Sequence, residues 1–310
     1  MVVKLIFSII RSSRPRQVLK NLSLYAALVF SGQLFVSESF WIVTWGIFLF
    51  SLITASIYII NDVIDRDADR RHPIKRNRPI AKGDLPLPLA LITSLFFCLT
   101  GLLLSYATLP FFFFLSLLAY LGIQVLYNLF LKSAVILDIL TIAIGFFLRV
   151  YAGAFIINAH LSVWFLLCLI SAALFLAAAK RRAELAVVEQ AGSTRKTLSL
   201  YTAPLLDSYV AMFATSAWLS WALFTFFESP PLTTSTWLFL AEISKAITIN
   251  KLLMLTIPFS IFGVMRYLRL IYEGSRTESP EKVLLSDFPL LTSFSLWAIL
   301  VVGILYGFHY

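Results

Sequence analysis

The chain is short of charge. Asp, Glu, Lys and Arg make up 13% of its 310 residues while hydrophobic types make up 60%. A soluble domain carries about a quarter charged residues, so an ordinary water-dispersed protein is excluded. Cysteine is scarce: Cys98 and Cys168 both fall inside apolar runs, where a thiol behaves as a small hydrophobe, and no disulfide framework is implied. His72, His160 and His309 make no zinc-ligand spacing with them. No Gly-rich phosphate loop and no Ser/His/Asp order stands out. The short alternating segments of a membrane barrel are missing too, leaving helices to satisfy the backbone across hydrocarbon.

Abundant instead are apolar runs of roughly 20 residues, the length that crosses ~30 Å of hydrocarbon. Nine recur, at about 21–36, 40–60, 87–106, 111–130, 134–156, 161–179, 207–227, 251–272 and 288–308. The expected fold class is an all-α membrane protein with nine transmembrane helices, one integral domain over residues 1–310. No soluble domain, linker or repeat interrupts it. The opening MVVKLIFSIIRSSRPRQ lacks a small-residue cleavage site, so residues 1–20 read as a cytoplasmic interfacial segment.

The net charge of +9 is distributed unevenly. With a cytoplasmic N-terminus, 22 of the 25 basic residues fall in cytoplasmic loops, Lys245 and Lys251 fall outside, and Arg149 lies within a span. The positive-inside rule then sets the N-terminus in the cytoplasm and Tyr310 outside a cell membrane crossed many times. Nucleic acid is a poor explanation for basicity arranged in this way.

One stretch breaks the apolar pattern. Asn61 to Ile80 reads NDVIDRDADRRHPIKRNRPI, with four aspartates and six basic side chains in twenty positions. If the second span continues as a helix, Asn61, Asp62, Asp65 and Asp69 fall within one arc of about 100°, and Asp67 points the other way. Three carboxylates and an amide form a hard-oxygen set suited to Mg²⁺, and would repel one another without a cation. Beside them stand Arg70, Arg71, Lys75, Arg76 and Arg78, residue types that hold phosphate oxygens. Acids for a metal next to bases for phosphate fit a Mg²⁺-diphosphate substrate. Asp67, Arg66 and Lys82 read better as solvated loop. Asp138 and Arg149 lie inside the fifth span, where charge is costly and is paired or functional. They are about 16 Å apart along a helix, so each needs its own partner. Arg266 and Arg269, at the end of the eighth span, are within reach of phosphate.

The pattern from Asn61 to Asp69 resembles the first acidic motif of the UbiA-type intramembrane prenyltransferase superfamily, a nine-helix bundle with a membrane-facing cavity. The likeness extends to the decaprenyl-phosphate phosphoribosyltransferase branch through Arg14–Asn21, Asn61–Ala81, Lys180–Leu185 and Arg195–Thr202. Residues 61–84 and about 180–200 then correspond to the catalytic cytoplasmic loops. The branch departs from this chain at Val18, and no counterpart is recognised for residues 271–287. Where aromatic prenyltransferases of the superfamily carry a second acidic motif, this chain has Lys180 and Arg181, with Glu184 the nearest carboxylate. Two positives there would repel a second metal and attract phosphate. Tyr127 and Lys132 resemble the superfamily's Tyr/Lys pair near the diphosphate, and Lys20 resembles an anion ligand.

The resemblance implies transfer of phosphoribosyl from 5-phosphoribosyl 1-diphosphate to a polyprenyl phosphate. Mg²⁺ would sit at Asn61, Asp62, Asp65 and Asp69; Asp62, Asp65, Lys180, Arg181 and Glu184 would be catalytic. Lys20, Arg70, Lys75, Arg76, Arg78, Tyr127, Lys132 and Arg266 would bind substrate. Glu184 would orient the ribose hydroxyls or offset charge at the anomeric carbon. Membrane lipid is an expected partner, and self-association is left open. The alternatives are prenyl transfer from a diphosphate to an aromatic acceptor, which would want acids at 180 and 181, and a transporter, which would not require carboxylates along one helical face.

Overall fold

The computed structural model describes residues 2–71, 75–191, 200–228, 249–273 and 280–306. His72, Arg195, Lys196, Lys245, His309 and Tyr310, all used in the sequence reading, lie outside the described residues. Every regular element among the described residues is helical: α1 (Val2–Ser12), a 3-10 run (Pro15–Leu24), α2 (Tyr25–Phe30), α3 (Ser37–Ile64), α4 (Arg66–Arg71), a 3-10 turn (Lys75–Asn77) and α5 (Pro79–Lys82). There follow α6 (Leu87–Thr108), α7 (Phe111–Leu129), a 3-10 turn (Leu131–Ser133), α8 (Leu137–Ile156), α9 (Val163–Ala191) and α10 (Ala203–Phe227). A 3-10 run (Ile249–Thr256), α11 (Ile257–Tyr272), α12 (Pro280–Ser286) and α13 (Phe288–Tyr306) complete them.

Eight of the nine expected spans appear as described helices long and apolar enough to cross a membrane. The first, expected at 21–36, falls on the shorter apolar helix Gln17–Phe30. Much of it is 3-10, which rises about 2.0 Å per residue against about 1.5 Å for α, so it covers more length per residue than an α-helix would. The chain is thus a multi-pass membrane protein. On α6, Ile92, Leu95, Phe96, Leu99 and Leu103 are exposed, as expected where the solvent is hydrocarbon. On α1, Val3, Ile6, Phe7 and Ile10 are exposed at helical spacing while Ser8 and Ser12 are buried.

The chain divides into two compact units. The first comprises Met1–Leu28, Leu34–Leu129 and Leu148–Ala159. Here α3 packs on α6, α7 and the 3-10 run, and Phe50, Ile53, Phe113, Leu117 and Leu24 are fully buried. A methyl group on Gly153 would lie 2.1 Å from the Leu24 carbonyl oxygen, so glycine lets two backbones meet there. The second unit comprises Val29–Gln33, Phe130–Phe147 and His160–Tyr310. Its main pairing is α9 with α10, whose neighbouring faces carry Ala177, Ala178, Ala179, Leu206 and Val210 in one core. Phe30 stacks among Phe165, Trp221 and Phe224.

Candidate active site

In the first unit, α3 stops at Ile64 rather than continuing, and Asp65 forms its C-terminal cap at φ −84°, ψ 4°. The chain turns into α4, passes the Lys75–Asn77 turn, and restarts at Pro79, a residue suited to the first helical position. Gly83, at φ +91°, closes α5 in a left-handed conformation, its N–H donating to the Pro79 carbonyl at 3.1 Å. Arg70 secures the fold-back by donating Nε–H to the Ala81 carbonyl at 3.0 Å.

This folded segment brings Asp62 and Asp69 together. Both are nearly buried, 2% and 4% exposed, and both accept from Arg78 Nη1, Asp62 Oδ1 at 3.1 Å and Asp69 Oδ2 at 2.6 Å. Asp62 accepts a second guanidinium hydrogen bond from Arg14, whose charge lies 4.9 Å from the centre of the Tyr58 ring. Arg14 itself holds a left-handed backbone, φ 51° and ψ 65°, between α1 and the 3-10 run. Two carboxylates and two guanidiniums therefore balance one another in a partly buried setting. Asp67 points out, its side chain 85% exposed, with only a loose 3.9 Å approach to Arg70.

Several expected ligands stand elsewhere. Among the described residues no three His, Cys, Asp or Glu side chains are gathered closely enough to hold an ion together. The expected arc of three carboxylates is not gathered into one group; instead Arg14 and Arg78 lie against Asp62 and Asp69. Asp65 is half-buried. Asn61 borders a largely apolar cavity of about 400 Å³ between α3, α6 and α7, which also touches Ser56, Ser94, Leu95 and Asn128. Its Oδ1 is buried without a hydrogen-bond partner. Arg70 is turned to the Ala81 carbonyl, Lys75 and Arg76 are exposed, and Lys20 and Tyr127 are half-buried.

Deeper in the same unit is a buried cation. Arg149 donates Nε–H to Asn21 Oδ1 at 2.9 Å and a terminal N–H to the Tyr120 hydroxyl at 2.7 Å. It also lies over the Tyr120 and Phe50 rings, 4.7 and 5.5 Å from their centres. Asn21 in turn donates to Ser51 and Thr54.

In the second unit the expected phosphate ligand Arg181 proves to be one of the largest fully buried side chains, 2% exposed. Its Nε–H donates to Asp138 Oδ2 at 2.5 Å and its Nη1 to Glu184 Oε2 at 2.5 Å. Lys180 approaches Glu184 Oε1 at 3.8 Å and is a third exposed. Asp138 Oδ1 accepts from the Tyr201 hydroxyl at 2.7 Å and from the Ile139 N–H at 2.9 Å. Burial, with help from the Asp138 hydrogen bond, raises the Tyr201 pKa, so its hydroxyl stays protonated at any working pH. Arg182 faces away, as its helical angle predicts, onto Asp207 at 2.6 Å. Arg266, expected to reach phosphate, is instead held by both oxygens of Asp287 at 3.1 and 2.7 Å. Lys132 is half-buried in its 3-10 turn. Sequence reasoning left Arg14 and Tyr201 without a role, although both fall in motifs it had marked.

A profile of the UbiA prenyltransferase family matches residues 22–251. Decaprenyl-phosphate phosphoribosyltransferase of Mycolicibacterium smegmatis is 33% identical over 301 residues, 94% of this chain and 91% of that protein. The protein of the same name from Corynebacterium glutamicum is 32% identical over 302 residues, 96% of this chain and 86% of its own. Among solved structures, a UbiA homologue from Archaeoglobus fulgidus bound to DMAPP and Mg²⁺ superposes with a TM-score of 0.61 at 18% identity. That match covers 96% of this chain and 99% of that one. A structure concerned with digeranylgeranylglyceryl phosphate synthase gives 0.63 at 14%, covering 97% and 98%. At such identity these likenesses speak to the fold. With the family profile over most of its length, and relatives a third identical from end to end, the chain belongs to the UbiA prenyltransferase family.

Proposed function

We propose that this protein transfers the 5-phosphoribosyl group from 5-phosphoribosyl 1-diphosphate to a polyprenyl phosphate, forming polyprenyl-phosphoryl-5-phosphoribose and releasing diphosphate. The observation that carries this reading is the pair of buried carboxylates, Asp62 and Asp69, set against the guanidiniums of Arg14 and Arg78. It stands in a chain a third identical along its length to relatives named for phosphoribosyl transfer to decaprenyl phosphate.

The donor set fits Mg²⁺, which commonly binds through one or two carboxylates plus substrate phosphates and needs no all-protein cage. Asp62 and Asp69 would hold it. When bound, the ion offsets the charge that builds on the leaving diphosphate. Arg14 and Arg78 exchange partners in this reading, from carboxylate oxygens to diphosphate oxygens. An acceptor phosphate oxygen attacks the anomeric carbon of ribose. The bond from that carbon to the diphosphate oxygen breaks, and the diphosphate leaves with the electron pair. The acceptor oxygen is already ionised at neutral pH, so no strong general base is required, and the chain's part is to position and to stabilise charge. Lys20, Lys132 and Lys180 serve as phosphate ligands, while Arg181 acts by fixing Glu184. The N-terminus and residues 61–84 face the cytoplasm in this reading.

Purified protein with Mg²⁺, phosphoribosyl diphosphate and a polyprenyl phosphate should yield the phosphoribosylated lipid by mass spectrometry. Protein that ignored this donor, and instead moved a prenyl group from its diphosphate onto an aromatic acceptor, would overturn the reading.

A further inference from the structure

Ile136 carries the backbone angle φ +72°. For a β-branched residue that is a strained conformation, and such strain persists only where the surroundings impose it. Ile136 is 47% exposed, so its side chain is not locked into a core. What grips this residue is a hydroxyl: the Ile136 N–H donates to Tyr201 Oη at 2.7 Å. The same hydroxyl donates its own hydrogen to Asp138 Oδ1, also at 2.7 Å. Beyond the strained residue, the Ile136 carbonyl accepts from Ile139 and Leu140 at 3.0 Å each and so opens α8. Before it, four residues back, lies Lys132.

From Tyr201 the bonds run without a break. Asp138 Oδ2 takes Arg181, Arg181 takes Glu184, and Glu184 faces Lys180. Tyr201, Asp138 and Arg181 are at most 4% exposed, and the Tyr201 ring is set in the apolar core with Ile139 and Leu206. A hydroxyl can accept from an amide and donate to a carboxylate through one and the same oxygen. The raised pKa of Tyr201, caused mainly by burial, keeps that hydrogen in place.

We infer that Tyr201 is a positioning residue: its hydroxyl locks the strained Ile136 backbone to the Asp138–Arg181–Glu184 network, and so fixes Lys132 and Lys180 in one register. This rests on the phosphoribosyl-transfer reading only in giving those two lysines phosphates to hold. The lock itself is a property of the fold.

Glycine adopts positive φ without cost, so it separates the lock from the strain that the lock resists. Four proteins are compared: wild type, Tyr201→Phe, Ile136→Gly and the double variant. Misplacement of a binding group by about 1 Å costs up to roughly 10²-fold. Tyr201→Phe should therefore lower kcat/KM for phosphoribosyl diphosphate at least about tenfold in protein that remains folded. Ile136→Gly alone should keep near wild-type turnover. In the double variant Ile136→Gly should restore much of the loss, because a relaxed backbone no longer needs the hydroxyl. A purely structural role for Tyr201 would shift the melting temperature and leave kcat/KM of the folded fraction unchanged.

Unchanged kcat/KM in Tyr201→Phe, or no recovery in the double variant, overturns the inference. Melting temperatures of the same four proteins form a cycle that needs no substrate, and strictly additive shifts would overturn it as well. If wild type fails to use phosphoribosyl diphosphate while the thermal cycle shows coupling, the functional reading fails and the lock stands. Should Tyr201→Phe not fold, better folding of the double variant supports the lock, and equal failure of both overturns it.

Discussion

Asp62 and Asp69, seven positions apart and separated by the end of α3, share a single nitrogen of Arg78, which donates to one at 3.1 Å and to the other at 2.6 Å. Two buried carboxylates this close repel unless a cation intervenes, and the guanidinium is that cation. Replacing either acid by Ala removes a hard-oxygen ligand and leaves Arg78 with less to balance it. Asp62→Ala and Asp69→Ala should each reduce turnover by on the order of 10²-fold or more while detergent-purified protein stays monodisperse. Asp67→Ala, at an outward position, should change turnover less than about twofold. Equal losses at Asp67 and Asp62 would refute the pairing as the basis of activity.

Arg181 should behave as a buried ion-pair centre. Removing one partner of such a pair leaves uncompensated charge and costs about 3–5 kcal/mol, whereas an apolar replacement of the whole set can be tolerated. Arg181→Ala is expected to lower the thermal midpoint sharply and to abolish activity. Combining Arg181→Met with Asp138→Asn should recover stability relative to either single change. A thermal series showing Arg181→Ala as stable as wild type would place the guanidinium outside the network.

Gly153 is a second sensitive point. Its Cβ would meet the Leu24 carbonyl, a backbone atom that cannot swing aside as a side chain can. Gly153→Ala should destabilise by about 1–3 kcal/mol through overpacking, read as a lower melting temperature. A neutral result would show that the 3-10 run yields readily.

The Asp287 carboxyl is held below the usual carboxylate range, first by its hydrogen bonds from Arg266 and further by the Leu290 N–H at the start of α13. A depressed folded-state pKa contributes stability that is present above the unfolded value of about 3.9 and lost as pH falls through the lower folded value. Melting temperature should thus be insensitive to this pair between about pH 5 and 8 and should drop on further acidification. Asp287→Asn should show a lower plateau and a shallower acid-side fall. An identical acid profile for both proteins would count against the linkage.

Orientation is tested by reporters. The 22-to-2 division of basic residues predicts an inside N-terminus and an outside C-terminus. An enzymatic reporter active only outside the cytoplasm, fused after Tyr310, should be active. Activity from a cytoplasm-only reporter at that position would reverse the assignment.

Much of this was legible in the chain. Hydropathy located the spans, because hydrocarbon demands long apolar helices and little else can satisfy the backbone there. The turn of about 100° per residue separated Asp67 from Asp62 and Asp69 correctly, since both helical pieces keep that period locally. Partners distant in sequence were not legible. Arg14 and Asp62 are 48 positions apart, and Arg181 and Asp138 are 43 apart. No periodicity links such residues, so Arg181 read as a phosphate ligand when its charge is spent within the protein. Likewise nothing in VILD announces that Ile136 is strained, because that conformation is imposed by Tyr201 from 65 positions away.

The two charges within α8 differ in when their partners are made. Asn21 and Tyr120, which receive Arg149, lie upstream of it. By the time α8 leaves the ribosome they have already been synthesised, so acceptors for the guanidinium N–H groups are at hand. Asp138 has no such provision, since Arg181 and Tyr201 are translated later. An isolated carboxylate in a membrane span is costly. Asp138, in the first turn of α8, meets these partners only once α9 and the residues just beyond it have been made. A chain truncated before α9 would therefore hold Asp138 without Arg181 or Tyr201, whereas Arg149 would keep Asn21 and Tyr120.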